Sequence, residues 1–158
     1  MLGFSKFALF ILRVSMGWMM FYAGYTKLID PTWSAASYLT GAKTFPELFN
    51  WFLQPSILPA INIINEWGLT LLGVSLILGV FVRFSSMLGA ALMMLYYLPI
   101  LQFPYPNAHA YIVDEHIIYA LVLLFFAAIR AGRVWGLENW CSNLPICSRF
   151  PRYRRLFG

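Results

Sequence analysis

The sequence predicts an all-α integral membrane protein: a four-helix bundle with an amphipathic segment lying at the membrane interface in its first external loop. Three observations predict it. Of the 158 residues, 61% are hydrophobic and only 11% charged, more apolar surface than a soluble domain of this size can bury. Four apolar stretches, at residues 5–29, 57–82, 84–101 and 111–130, each approach the ~20 residues that a bilayer-spanning helix needs. The charges, finally, sort by side once those four stretches are threaded through a bilayer.

The first stretch is long for the apolar region of a signal peptide, and Tyr22-Ala23-Gly24 is a poor cleavage site, so it is expected to stay as a helix. Residues 33–55 follow as a long external connection carrying Trp33, Tyr38, Phe45, Phe49, Trp51 and Phe52. Such aromatics favour the headgroup layer. Phe45, Phe49 and Phe52 are spaced to share one face of a short helix after Pro46, which suits a segment lying on the membrane, with a lid over a lipid-soluble ligand as the other reading. The second and third stretches turn back on each other at Arg83. The fourth follows a turn at Pro104-Tyr105-Pro106-Asn107 and runs between DEH at 114–116 and AGR at 131–133.

With four spans, Lys6, Arg13, Arg83, Arg130, Arg133, Arg149, Arg152, Arg154 and Arg155 share one side with Glu138 alone, nine bases against one acid for a balance of +8. Lys27 and Lys43 share the other with Asp30, Glu47, Glu66, Asp114 and Glu115, two bases against five acids for −3. Basic loops stay inside, so both termini are expected to be cytoplasmic. Residues 1–140 form the expected transmembrane domain and 141–158 a basic cytoplasmic tail. Arg149, Arg152, Arg154 and Arg155 suit contact with anionic lipid rather than nucleic acid, and Arg13, Arg130 and Arg133 are expected to snorkel to lipid phosphate. Cys141 and Cys147 on that side are expected as free thiols.

Uncharged runs at 14–26, 67–82 and 117–129 cover only ~20–24 Å against a ~30 Å hydrocarbon core, so some flanking charges reach into it. Such groups pair, snorkel or serve a function. At the outer ends of the helices stand Lys27, Glu66, Asp114, Glu115, His116 and Tyr119, with the aromatics Tyr22, Tyr25, Trp67, Tyr96 and Tyr97. A histidine beside a carboxylate exchanges protons near neutral pH, and tyrosine donates to a carbonyl. These are the needs of a quinone head group. The competing reading is an ion-pair network of Lys27 with Glu66 or Glu115 that sets helix register. Haem held by two histidines is disfavoured because His109 and His116 lie in or near one loop and helix start. No zinc or covalent-haem spacing occurs. Glycines 17, 24, 68, 73 and 79 suit close helix packing.

Three segments, GWMMFYAGYTKLIDPTWSAASYL (17–39), EWGLTLLGVSLILGVFVR (66–83) and DEHIIYALVLLFFAAIRAGRVWGLE (114–138), resemble in order and spacing the DoxX/DoxD family of small four-helix membrane proteins. The most specific parts are YAG-x-x-KL-x-DP at 22–31 and AGR-x-WGL at 131–137; Glu138 stands where the family often has Asp. The resemblance implies a prokaryotic plasma-membrane protein. Its DoxD branch includes the small membrane subunit of thiosulfate:quinone oxidoreductase, which implies quinone or quinol as the partner molecule and other membrane subunits as partners in a respiratory or sulfur-oxidising complex. An accessory subunit that stabilises such a complex is the alternative. The resemblance carries no catalytic residues with it, and the chain shows no metal, flavin or haem motif.

Overall fold

In the computed structural model, residues 3–138 are described, and all regular structure among them is helical apart from two isolated bridges in one loop. Four long helices carry the fold: α1 (Gly3–Leu28), α4 (Leu58–Leu78), α5 (Val82–Ile100) and α6 (Glu115–Ile129). Two short ones, α2 (Ala36–Thr40) and α3 (Pro46–Phe52), lie between α1 and α4, and a 3₁₀ turn (Ala131–Arg133) follows α6. The helices α1 and α4 are long and apolar enough to cross a membrane, whereas α6 is apolar but has only 15 residues.

Local chemistry sets the boundaries. Asp30 turns the chain after α1 by accepting from the Thr32 backbone N–H at 2.9 Å and its hydroxyl at 2.7 Å, and Pro31 cannot extend a helix. These bonds hold the exposed Asp30 carboxyl below its ordinary pKa. Prolines at the first turns of α3 and α4 sit where their missing N–H costs nothing. Gly79 ends α4 with φ +69°, a left-handed conformation that favours glycine, and the chain reverses into α5 within three residues. Asp114 caps α6 by accepting from His116 N (3.0 Å) and Ile117 N (3.2 Å).

The helices pack as two pairs, α1 with α4 and α5 with α6, joined along a shorter α4–α5 seam. Leu9, Met16 and Met20 meet Leu69, Leu72 and Leu76, then Ala90, Met93, Leu123 and Phe126, in one shared core. Small residues bring α1 and α4 together: a Cβ on Gly17 would stand 2.9 Å from Ile77 N, and one on Gly73 would overlap the backbone of Phe21.

The helices of the first connection fold back onto the bundle. Phe49 is 1% exposed and, with Ala35 and Leu39, forms a second core against Trp33, Phe52, Ile61 and Leu98. Burying an aromatic of this size is worth about 1.5–3 kcal/mol, which draws α3 onto the helix ends and leaves Phe45 and Trp51 outside. Three bonds tie this roof to the last turns of α5: Lys43 N to Pro99 O (2.8 Å), Thr44 Oγ1 to Leu101 O, and the Tyr38 hydroxyl to Tyr96 O.

At the opposite end Arg13 is wholly buried and donates to Trp135 O at 3.4 Å, while its Nε and Nη1 find no hydrogen-bond partner among the described residues. Its guanidinium fills the space beside Gly79 and Gly136, where a Cβ on either would collide with Nη1. A guanidinium with no exposed surface does not reach lipid phosphate, so Arg13 is a buried ion near Glu138 rather than a snorkelling anchor. Arg133 remains half exposed, with Nε 3.5 Å from Glu138 Oε1, and Arg130 takes the left-handed position that closes α6. Arg149, Arg152, Arg154, Arg155, Cys141 and Cys147 lie outside the described residues.

Candidate functional site: a roofed cavity

Beneath the roof, a cavity of about 460 Å³ lies between α2–α3 and the ends of α1, α4, α5 and α6. Its walls are mainly apolar, with Leu39, Phe49, Phe52, Ile61, Ile64, Leu92 and Leu95, and its polar groups are few: Lys27, Ser34, Ser37, Tyr38, Asn65, Tyr96 and His116. A mostly apolar hollow with a few convergent polar groups is the usual form of a small-molecule site.

Along one side the rings stand in file. Tyr38 and Tyr96 meet edge to face at 6.0 Å, and Tyr96 meets His116 in the same way at 6.1 Å. The Tyr96 hydroxyl bonds Asn65 Oδ1, and Asn65 Nδ2 donates to Ile61 O at 2.9 Å. Behind His116 stands Asp114, its side chain 1% exposed, with Oδ2 2.7 Å from His116 Nδ1. A buried carboxylate at that distance orients the imidazole and fixes which nitrogen faces outward. The Tyr38 hydroxyl is pushed up to about 12, first by burial and then by the negative charge of Asp114, so it stays protonated and donates to Tyr96 O.

Lys27 enters from the last turn of α1. Its Nζ donates to Ala23 O at 3.0 Å and lies 5.4 Å from the Trp33 ring centroid. The ion pair with Glu66 or Glu115 that the competing reading required is not formed among the described residues. Helical side chains lean toward the N-terminus, which brings Lys27 back over its own carbonyls. Glu66 is half-buried outside the cavity, and exposed Glu115 occupies the first turn of α6, where a negative charge complements the helix dipole.

Of the residues singled out from sequence, Lys27, Tyr96 and His116 line the cavity and Asp114 supports it. Tyr97 is buried nearby with its hydroxyl on Ile112 O, and Tyr119 packs against the main core. Tyr22, Tyr25 and Trp67 are 57%, 45% and 51% exposed, pointing away from the cavity as residues of an interfacial belt would. Sequence reasoning missed Asn65 and left Tyr38, Phe49 and Phe52 outside the candidate site, in a connection for which a lid was only the second reading. A signal for Asn65 was present: Asn65, Leu69, Leu72 and Leu76 are spaced four, three and four apart, one buried helical face that excludes Glu66. Among the described residues no three His, Cys, Asp or Glu side chains gather as metal ligands would.

Apolar helices around a roofed, largely apolar cavity with a polar side give a small helical membrane protein with a hollow of about 460 Å³ at one end. The chain belongs to the DoxX family, whose sequence pattern matches residues 8–101, more than half of its length. The matched region includes Tyr22–Pro31 and Glu66–Arg83; AGR-x-WGL at 131–137 lies beyond it. No curated protein and no solved structure matches the chain.

Proposed function

We propose that this DoxX protein is a four-helix integral membrane subunit of a quinone-linked respiratory or sulfur-oxidising complex, with both termini cytoplasmic, and that its roofed cavity receives a quinone head group near the external face. The observation that carries this reading is the union of an apolar hollow of about 460 Å³ with Lys27 and the His116–Asp114 pair. A quinone needs apolar walls for its ring and tail, a donor at a carbonyl oxygen, and a group that takes or gives a proton. Lys27 supplies the donor. His116, oriented by Asp114, supplies the proton-exchanging group. Ile64 and Leu95 are 57% and 42% exposed while also forming cavity wall, which suits a ligand arriving from the bilayer. The segregation of nine bases from five acids supports the orientation.

The test is to isolate the complex in mild detergent and measure bound quinone and quinone reduction per assembled complex, for wild type, His116→Gln and Glu66→Gln. His116→Gln is expected to lower turnover about a hundredfold or more, within the range of a lost proton-transfer group, with assembly intact; Glu66→Gln, outside the cavity, leaves turnover near wild type. If His116→Gln instead dissolves the complex while turnover per surviving complex persists, the chain is an accessory subunit that acts by packing.

A further inference from the structure

The cavity's hydrogen-bonding groups are mostly committed to one another. The Tyr38 hydroxyl is spent on Tyr96 O, the Tyr96 hydroxyl on Asn65 Oδ1, and the Asn65 amide on Ile61 O. His116 Nδ1 is held by Asp114. Lys27 differs, since an ammonium has three N–H donors and only Ala23 O accepts from it among the described residues. The Trp33 ring offers its face to the same charge but no lone pair. Among the described residues no acid lines the cavity. The nearest acid in sequence, Asp30, is spent on Thr32, and Asp114 is paired with His116. Lys27, half-buried at the cavity wall, therefore brings to an apolar hollow a positive charge that no described acid of its wall pairs, leaving N–H donors open to an anion.

We infer that Lys27 is the counter-ion of the bound ligand, and that the cavity selects an amphiphile carrying an anionic oxygen on an apolar body. This rests on the proposal that the cavity is a ligand site, and it specifies the ligand's charge. The oxygen seats against the free N–H groups of Lys27, while Phe49, Phe52, Leu92 and Leu95 take the apolar part. Two sources share this chemistry: an ionised quinoid head group and the carboxylate of a single-chain lipid. A charge-assisted hydrogen bond in an apolar site is among the stronger polar contacts, enough for a preference of about tenfold or more over a neutral analogue.

The experiment uses the full chain in nanodiscs of phosphatidylcholine, which carries no net charge, with binding measured by calorimetry. Two matched pairs serve as probes: dodecanoate against dodecanol, and an alkyl hydroxynaphthoquinone, ionised at neutral pH, against its methyl ether. Wild type is expected to favour the anion of at least one pair by about tenfold or more. Lys27→Met should abolish that preference, weakening the anion more than its neutral analogue, and Lys27→Arg should restore it. Preference within the first pair alone assigns the site to a lipid carboxylate, and within the second alone to a quinoid anion. Equal binding of anion and neutral analogue in wild type, or a preference that survives Lys27→Met, overturns the inference. Leu92→Trp and Ile61→Trp, each adding bulk within the cavity, separate its failure from that of the site. If both variants fold and bind all four probes as wild type does, the cavity is not the site. If they lose all binding while Lys27→Met leaves the preference unchanged, only the counter-ion role falls.

Discussion

Asp114 divides its two oxygens between two tasks. Oδ1 accepts the backbone N–H groups of His116 and Ile117 and so begins α6, while Oδ2 holds the His116 ring. Asp114→Ala should destabilise the fold by about 1–2 kcal/mol through loss of the cap and release the imidazole. Asp114→Asn, still a good cap, should recover most of that stability; thermal melts in detergent read both, and equal loss in the two variants would show that capping is not what Asp114 contributes. Glu138, at the opposite end, makes a prediction in pH. Burial pushes its carboxyl above the ordinary value of 4.5, partly offset by Arg133, Arg130 and Arg13. A carboxyl whose folded pKa exceeds its unfolded one binds its proton more tightly when folded, so its contribution is greatest at low pH and is lost as pH rises from 4.5 through the folded value. Glu138→Gln should therefore flatten the melting temperature against pH across that interval, and parallel profiles for wild type and variant would refute the assignment.

Among the elements, α1 and α4 depend most on what is missing from them. Gly73 has no side chain where the backbone of Phe21 passes, and Gly24 none where Thr70 passes. Gly73→Ala must push the helices apart and should cost about 2 kcal/mol or more, within the range of overpacked cores, whereas Gly68→Ala, where a Cβ meets nothing within 4 Å, should be neutral or slightly stabilising. Melting temperatures of the two variants side by side decide this. The close approach was legible in the sequence at Gly17, Gly24 and Gly73, though not at Gly68, which meets nothing, or at Gly79, which ends its helix; so were the long helices: the stretch 57–82 became Leu58–Leu78 because Gly79 supplies the left-handed stop, and 111–130 became Glu115–Ile129 because Asp114 supplies the cap. The roof was not legible. Phe45, Phe49 and Phe52 suit a lipid interface and a protein core equally well by spacing, and the choice between them rests on contacts with Ile61 and Leu98, far away in the chain. Arg13 was misjudged for a related reason. Its destination depends on Gly79 and Gly136, which make room for it from two distant segments.

Over the whole molecule, the division of charge on which the proposed orientation rests is a property of sequence, and no single contact carries it. Labelling a Cys-free background with cysteine at Asn107 or at Ser142, the latter beyond the described residues, should give opposite sidedness to a membrane-impermeant reagent. Labelling of both from one face would overturn the four-span arrangement. The candidate site was half visible from sequence: antiparallel threading brings Lys27, Tyr96 and His116 to one depth, while Tyr38 joins them only through a roof whose fold had to be seen.

That roof has a mechanical consequence. It hangs by its ends from α1 and α4, yet Tyr38, Lys43 and Thr44 fasten it to the carbonyls of α5, so it bridges the α4–α5 seam like a clasp. A molecule entering by lifting the clasp would have to break these three bonds, a link between the two helix pairs that adds to the core they share.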